Sequence, residues 1–187
     1  NLSYYLNPKF VFNLSLLAEN FYLNQKYDEA SNVLKNFNKD HDFYYWYKLK
    51  KEAQIISKKK DDDAALKFII FNFNEIKNPN NKFIFDVANF YKNSKRYADA
   101  IKYYSLIINS LEERSPVKSD LLYRRGGSYE RLKDYKNADN DLLKSLEINP
   151  DDPYVLNYLA YSWLERGYKI DEAIKMLEKA YSSKTND

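Results

Sequence analysis

Apolar and small residues recur along this chain at offsets of three and four, the spacing of one helix face, and the resulting blocks themselves repeat. Ala18, Ala53, Ala88, Gly126 and Ala160 lie 35, 35, 38 and 34 residues apart, and Ala30, Ala65, Ala100, Ala138 and Ala173 lie 35, 35, 38 and 35 apart. Large residues keep the same register. Leu14, Leu49, Ile84, Leu122 and Leu156 precede the first small residue by one turn, and Phe21, Ile56, Tyr91, Tyr129 and Trp163 follow it by about one turn. Leu34, Ile69, Tyr104, Leu142 and Leu177 follow the second small residue by one turn. Each unit therefore predicts a first helix (A), a tight turn and a second helix (B), with the small residues where the two helices cross. The boundaries are 11–45, 46–80, 81–118, 119–152 and 153–182, with 1–10 as the end of a preceding unit and 183–187 as a tail.

The punctuation fits this register. Asp28, Asp63, Asp99 and Asp171 fall at or near the starts of B helices, where a carboxylate caps free N–H groups and favours the positive end of the helix dipole. Tyr27, Tyr97 and Tyr135 close the turns, and Asn78-Pro79 and Asn149-Pro150 end B helices. The one long interval, 38 residues, is expected to extend the third B helix by about a turn before the chain restarts at Ser119. Asn7-Pro8 stands ahead of the first unit as Asn149-Pro150 stands ahead of the fifth, so Asn1 to Leu6 read as the tail of an earlier B helix. Tyr181 to Asp187 is polar and too short for a capping helix, and the natural protein is expected to continue in both directions.

Composition narrows the function classes. Three Gly and five Pro are too few turn-formers for an all-β sandwich, while 19 Tyr and 11 Phe supply ample core volume. A net charge of +3, with the Lys58-Lys59-Lys60 run facing Asp61-Asp62-Asp63, is no footprint for a phosphate backbone, so no nucleic-acid partner is expected. There is no Cys, which removes disulfides and thiol chemistry and leaves the compartment open. No run approaches the ~18 apolar residues of a membrane span. His41 is the sole histidine and reads as a solvated residue at a helix start. Asp61–Asp63 lacks the glycine and distal glutamate of a calcium loop, and Gly126-Gly127 lies inside a helix, unlike a phosphate loop. No catalytic, cofactor or metal site is expected, and the chain is read as non-enzymatic.

The columns resemble the tetratricopeptide repeat. Leu159-Ala160, Trp163, Asp171-Glu172-Ala173, Leu177 and Ala180 carry its pattern in the fifth unit, and Leu122, Gly126, Tyr129, Tyr135, Ala138, Leu142 and Pro150 carry it in the fourth. Glu52 and Arg125 stand where the family usually has leucine, Asn72 replaces a small residue, and one extra residue lies between Gly167 and Ala173. The second unit diverges most, and the region from Tyr123 to Leu177 is similar to long tandem-repeat proteins of bacteria. The resemblance implies an all-α, right-handed α-α superhelix (a solenoid) of about five helix pairs. It also implies a protein-binding scaffold that holds a peptide or partner helix against its A helices. The alternative is a structural spacer that self-associates through uncapped terminal repeats as a homo-oligomer.

Facing that groove, the stripe three before, one after and four after the first small residue includes Lys50, Gln54, Phe85, Asn89, Lys92, Tyr123, Gly127, Asn157 and Tyr161. Gln54, Asn89 and Asn157 suit peptide N–H and C=O groups, and Phe85, Tyr123 and Tyr161 offer flat apolar contact at low rotamer cost. Gly127 is expected to leave a shallow pocket. Some relatives clamp a C-terminal carboxylate with lysines and asparagines. Lys50 and Asn89 are the nearest matches here, but Gln54 and Phe85 break that pattern and disfavour it.

Overall fold

The computed structural model describes residues 10–184, with side chains described as far as Ser182. The expected tail helix at Asn1–Leu6 and the last residues of the C-terminal tail lie outside the described residues. Among those described, the chain is all-helical, with ten helices and no strand: α1 (Val11–Leu23), α2 (Tyr27–Leu34), α3 (Asp42–Lys59), α4 (Asp62–Asn74), α5 (Asn81–Asn93), α6 (Tyr97–Ile108), α7 (Pro116–Arg131), α8 (Tyr135–Ile148), α9 (Pro153–Glu165) and α10 (Ile170–Lys184). None of these is long and apolar enough to cross a membrane. The helices divide into two compact units, Asn1–Ser94 and Lys95–Asp187.

All ten small residues of the two series are buried. In the first unit Leu14 and Ala18 of α1 meet Ala30 and Leu34 of α2, and Phe37 and Ile55 extend this core to the next pair. In the second, Leu142 packs with Val155, Leu159, Ala160, Trp163 and Ala173. A Cβ on Gly126 would come 3.0 Å from the Leu142 side chain and 3.3 Å from the Ala138 carbonyl oxygen, so α7 and α8 cross so closely that a side chain there would force its neighbours to shift.

Three of the A–B turns share one geometry. Gln25, Lys133 and Gly167 adopt positive φ (59°, 60° and 62°), and the next residue's N–H reaches back to Phe21, Tyr129 and Trp163 respectively. That is the left-handed closure of a helix C-terminus. Lys95 has the same φ of 59°. The extra residue after Gly167 is absorbed by a second left-handed residue, Lys169, at φ 44°. The divergent second pair turns differently. Lys60 has φ −129°, and the Asp61 carboxylate accepts the Ala64 N–H at 2.7 Å.

Two expectations are corrected. Asp28, Asp63 and Asp99 lie inside the first turns of α2, α4 and α6, where they favour the dipole. The side-chain caps come instead from Asp61 on α4 and Asp134 on α8. The third B helix is not extended either: α6 closes at Ile108, and the additional residues form the connection up to Ser115. Pro116, which has no N–H to lose, starts α7 at its first position, ahead of the boundary expected at Ser119. Lys118 is buried beneath the connection and pairs with Glu113 at 2.9 Å, which pins the inserted residues.

The off-pattern residues have partners. Arg125 makes a two-point contact with the buried Asp141 carboxylate, Nε to Oδ2 at 2.7 Å and Nη2 to Oδ1 at 2.8 Å, and donates to Ser105 at 2.8 Å. Three helices are thereby tied through one guanidinium. Asn72 donates its amide to the Phe68 carbonyl at 2.9 Å within its own helix. Glu52 pairs with Lys48 at 3.9 Å, and burial pushes its carboxyl above the usual range despite that partner.

Candidate functional site

Inside each compact unit, neighbouring A helices pack along a seam. Within each unit, in α3, α5 and α9, the residue two before the small residue sits on the stripe of the A helix before it. On α3, Lys51 pairs with Glu19 of α1 at 2.8 Å and lies 4.2 Å over the Tyr22 ring. On α5, Asp86 pairs with Lys50 of α3 at 3.2 Å and accepts the Trp46 indole N–H at 2.9 Å. On α9, Tyr158 donates to Glu130 of α7 at 3.0 Å and meets Tyr123 edge-on at 5.7 Å. A turn earlier on α3, Tyr47 donates to the Ser15 carbonyl at 2.9 Å. Burial and a neighbouring carboxylate hold both Tyr47 and Tyr158 above the ordinary phenol range, so both stay protonated donors.

This seam sorts the nine stripe residues. Lys50, Tyr123 and Gly127 lie within it. The pocket expected at Gly127 is filled, because the Tyr158 hydroxyl lies 3.4 Å from where a Cβ would stand. Lys50, Gln54 and Asn89 come together in the first unit, around a concavity of about 570 Å³ between α3 and α5 with Tyr22 of α1 at its edge. Ser57, Lys58, Asp62, Asp86, Phe90, Asn93 and Ser94 complete its wall. Phe85 and Lys92 are half-buried on α5 and are not part of that wall. In the second unit Asn157 and Tyr161 line a separate concavity of about 500 Å³ with Leu177, Glu178, Ala180 and Tyr181. Residue-type patterns gave no warning of the seam column, since lysine, aspartate and tyrosine share no property. The available signal was charge opposition across one repeat, Lys51 to Glu19 and Asp86 to Lys50.

The first concavity is polar and internally neutralised. Lys50 is balanced by Asp86, and Asp62 accepts from Ser57. Ser94 donates to the Asp62 carbonyl at 3.1 Å. Gln54 is different: its Oε1 is buried and has no hydrogen-bond partner among the described residues. A buried carbonyl left so costs about 1–3 kcal/mol, and an N–H donor brought into the concavity recovers it.

Paired helices, small residues at each crossing and a polar A-helix seam define a helical-repeat fold of the tetratricopeptide type. Residues 119–152, nearly the whole α7–α8 pair, match the family model of the tetratricopeptide repeat. Solved structures of MamA, itself a tetratricopeptide-repeat protein, share the fold across nearly the full chain. One from strain MSR-1 has a TM-score of 0.67 at 17% identity, covering 94% of this chain and 97% of that one. Another, spanning residue 41 to the end of the protein from Desulfovibrio magneticus RS-1, has a TM-score of 0.72 at 12% identity, with 95% and 96% covered. The repeat match supports a relationship to the tetratricopeptide-repeat family, and the solved structures show the shared solenoid fold class. No curated protein matches the sequence.

Proposed function

We propose that the chain is a non-enzymatic scaffold for protein–protein interaction, and that the concavity of the first unit receives an extended segment of the partner through main-chain hydrogen bonds. The observation that carries this reading is the buried, unpartnered Oε1 of Gln54, with the Asn89 carboxamide on the facing helix of the same concavity. Two carboxamides on adjacent A helices suit a peptide backbone, which offers a donor and an acceptor at every residue. The wall's own ion pairing leaves little net charge to select a charged side chain. Recognition therefore rests on the backbone together with contact against Phe90 and Tyr22. Asn157 and Tyr161 are proposed as further partner contacts on α9.

Peptides selected from a displayed library on the immobilised chain test this. Gln54→Ala and Asn89→Ala are each expected to weaken the selected peptides about tenfold, as loss of a 1–1.5 kcal/mol hydrogen bond predicts. Lys67→Ala, on the exposed face of α4, serves as the control and should leave affinity unchanged. Unaltered affinity in both carboxamide variants would exclude the concavity as the site.

A further inference from the structure

The concavity between α3 and α5 is a pocket of about 570 Å³, so a segment that crosses it also sends a side chain in, and the wall decides which. Tyr22 and Phe90 are its hydrophobic residues, and no aliphatic residue lines it. An aliphatic anchor would cover polar groups there without pairing them. The charged residues of the wall are two of each sign, Lys50 and Lys58 against Asp62 and Asp86, so a charged anchor of either sign meets like charge. What the wall offers is hydrogen bonding, weighted towards acceptors. Gln54 Oε1 is buried without a partner, and the Gln54 amide forms no hydrogen bond with another described residue. Ser57 and Ser94 both direct their hydroxyl protons to Asp62, the first to its carboxylate and the second to its carbonyl. Each hydroxyl oxygen therefore keeps lone pairs with which to accept.

We propose that the partner's segment carries an asparagine or glutamine whose side-chain carboxamide inserts beside Gln54. Such a group holds two N–H donors and a C=O acceptor on one planar tip. One N–H is donated to Gln54 Oε1, the C=O accepts from the Gln54 amide, and the second N–H faces the serine hydroxyls. The last torsion of a glutamine side chain is broad, so Gln54 turns its edge to the incoming group at little cost. A half-turn about that torsion exchanges its oxygen and nitrogen and leaves the same complementary pair. A serine or threonine in the partner brings a single O–H and leaves part of this demand unmet. The inference rests on the peptide-scaffold reading of the concavity and adds to it: main-chain bonds place the segment, and the carboxamide selects which sequence is held.

Peptides selected from a randomised displayed library on the immobilised chain are expected to share Asn or Gln at one position and to vary around it. In a synthetic copy of a selected peptide, Asn→Leu or Gln→Met at that position should weaken binding about tenfold by fluorescence anisotropy. Gln54→Met in the chain should weaken it similarly. Combining the two changes should cost little more than either alone, because each removes the same pair. If Gln54→Met lowers the helical circular dichroism, Gln54→Leu takes its place in the cycle. Selected peptides that depend on Gln54 and Asn89 but share no carboxamide overturn this inference and leave the scaffold reading standing. Losses that multiply in full when the two changes are combined do the same. Selected peptides indifferent to both Gln54→Ala and Asn89→Ala overturn the inference together with the reading beneath it.

Discussion

Gly126 and Gly127 are neighbours in α7 with opposite demands on a side chain. At Gly126 a Cβ meets Leu142 at 3.0 Å and the backbone of α8 at 3.3 Å; at Gly127 it meets the Tyr158 phenol, nearest at an ordinary 3.4 Å. Alanine in a helix interior gains about 1 kcal/mol over glycine, while overpacking a close crossing costs about 1–3 kcal/mol. Gly127→Ala should therefore raise the thermal midpoint and Gly126→Ala should lower it, which differential scanning calorimetry would show directly. Glu52 gives a pH-dependent counterpart. Its folded-state pKa is raised by burial, so its contribution is fully favourable below the unfolded carboxylate pKa and is lost as pH rises through the folded value. Glu52→Gln is accordingly expected to be more stable than the parent at neutral pH. That advantage should shrink to nothing as both are acidified to where Glu52 is protonated, as melting curves across pH would reveal.

At the scale of helices and turns, the part of the fold written most openly in the sequence is the set of small residues, because a crossing tolerates no other size and every pair has the same crossing. The end of α6 was less open. The residues after Ile108 carry no helix-breaking signal before Ser115-Pro116, and what retains them as a connection is a contact across sequence, Lys118 to Glu113. The candidate site was half legible for a similar reason. Gln54 and Asn89 could be placed on a stripe by register, but which stripe residues the next helix covers depends on the seam column, whose residue types have nothing in common. Turns give a sharper local test. Lys133 holds a left-handed φ of 60°, a conformation that costs an L-residue about 1–2 kcal/mol and costs glycine almost nothing. After subtracting glycine's greater unfolded-state entropy, Lys133→Gly is expected to stabilise by about 0.5–1 kcal/mol in urea titration. Lys60 lies in a turn that uses φ −129°, so Lys60→Gly gains nothing and loses that entropy.

For the whole molecule, a repeat chain is held by interactions within pairs and between neighbours, so its stability is distributed along its length. Contacts divide this one into Asn1–Ser94 and Lys95–Asp187, and each unit contains a single buried tryptophan: Trp46, hydrogen-bonded to Asp86, and Trp163, edge-on to Tyr168. Trp163→Phe leaves fluorescence reporting on the first unit alone, and Trp46→Phe leaves it reporting on the second. Arg125→Leu then supplies a perturbation confined to the second unit. It removes the partner of Asp141, whose side chain is 2% exposed, and an uncompensated buried charge costs about 3–5 kcal/mol. In the Trp46→Phe background this substitution should lower the urea midpoint strongly. In the Trp163→Phe background the midpoint should move by a clearly smaller amount, because the first unit loses only what reaches it through its neighbour. Equal shifts in both backgrounds would mean that the five pairs unfold as one cooperative body. Unequal shifts would mean that the half carrying the polar concavity can remain folded while the half carrying α9 and α10 opens.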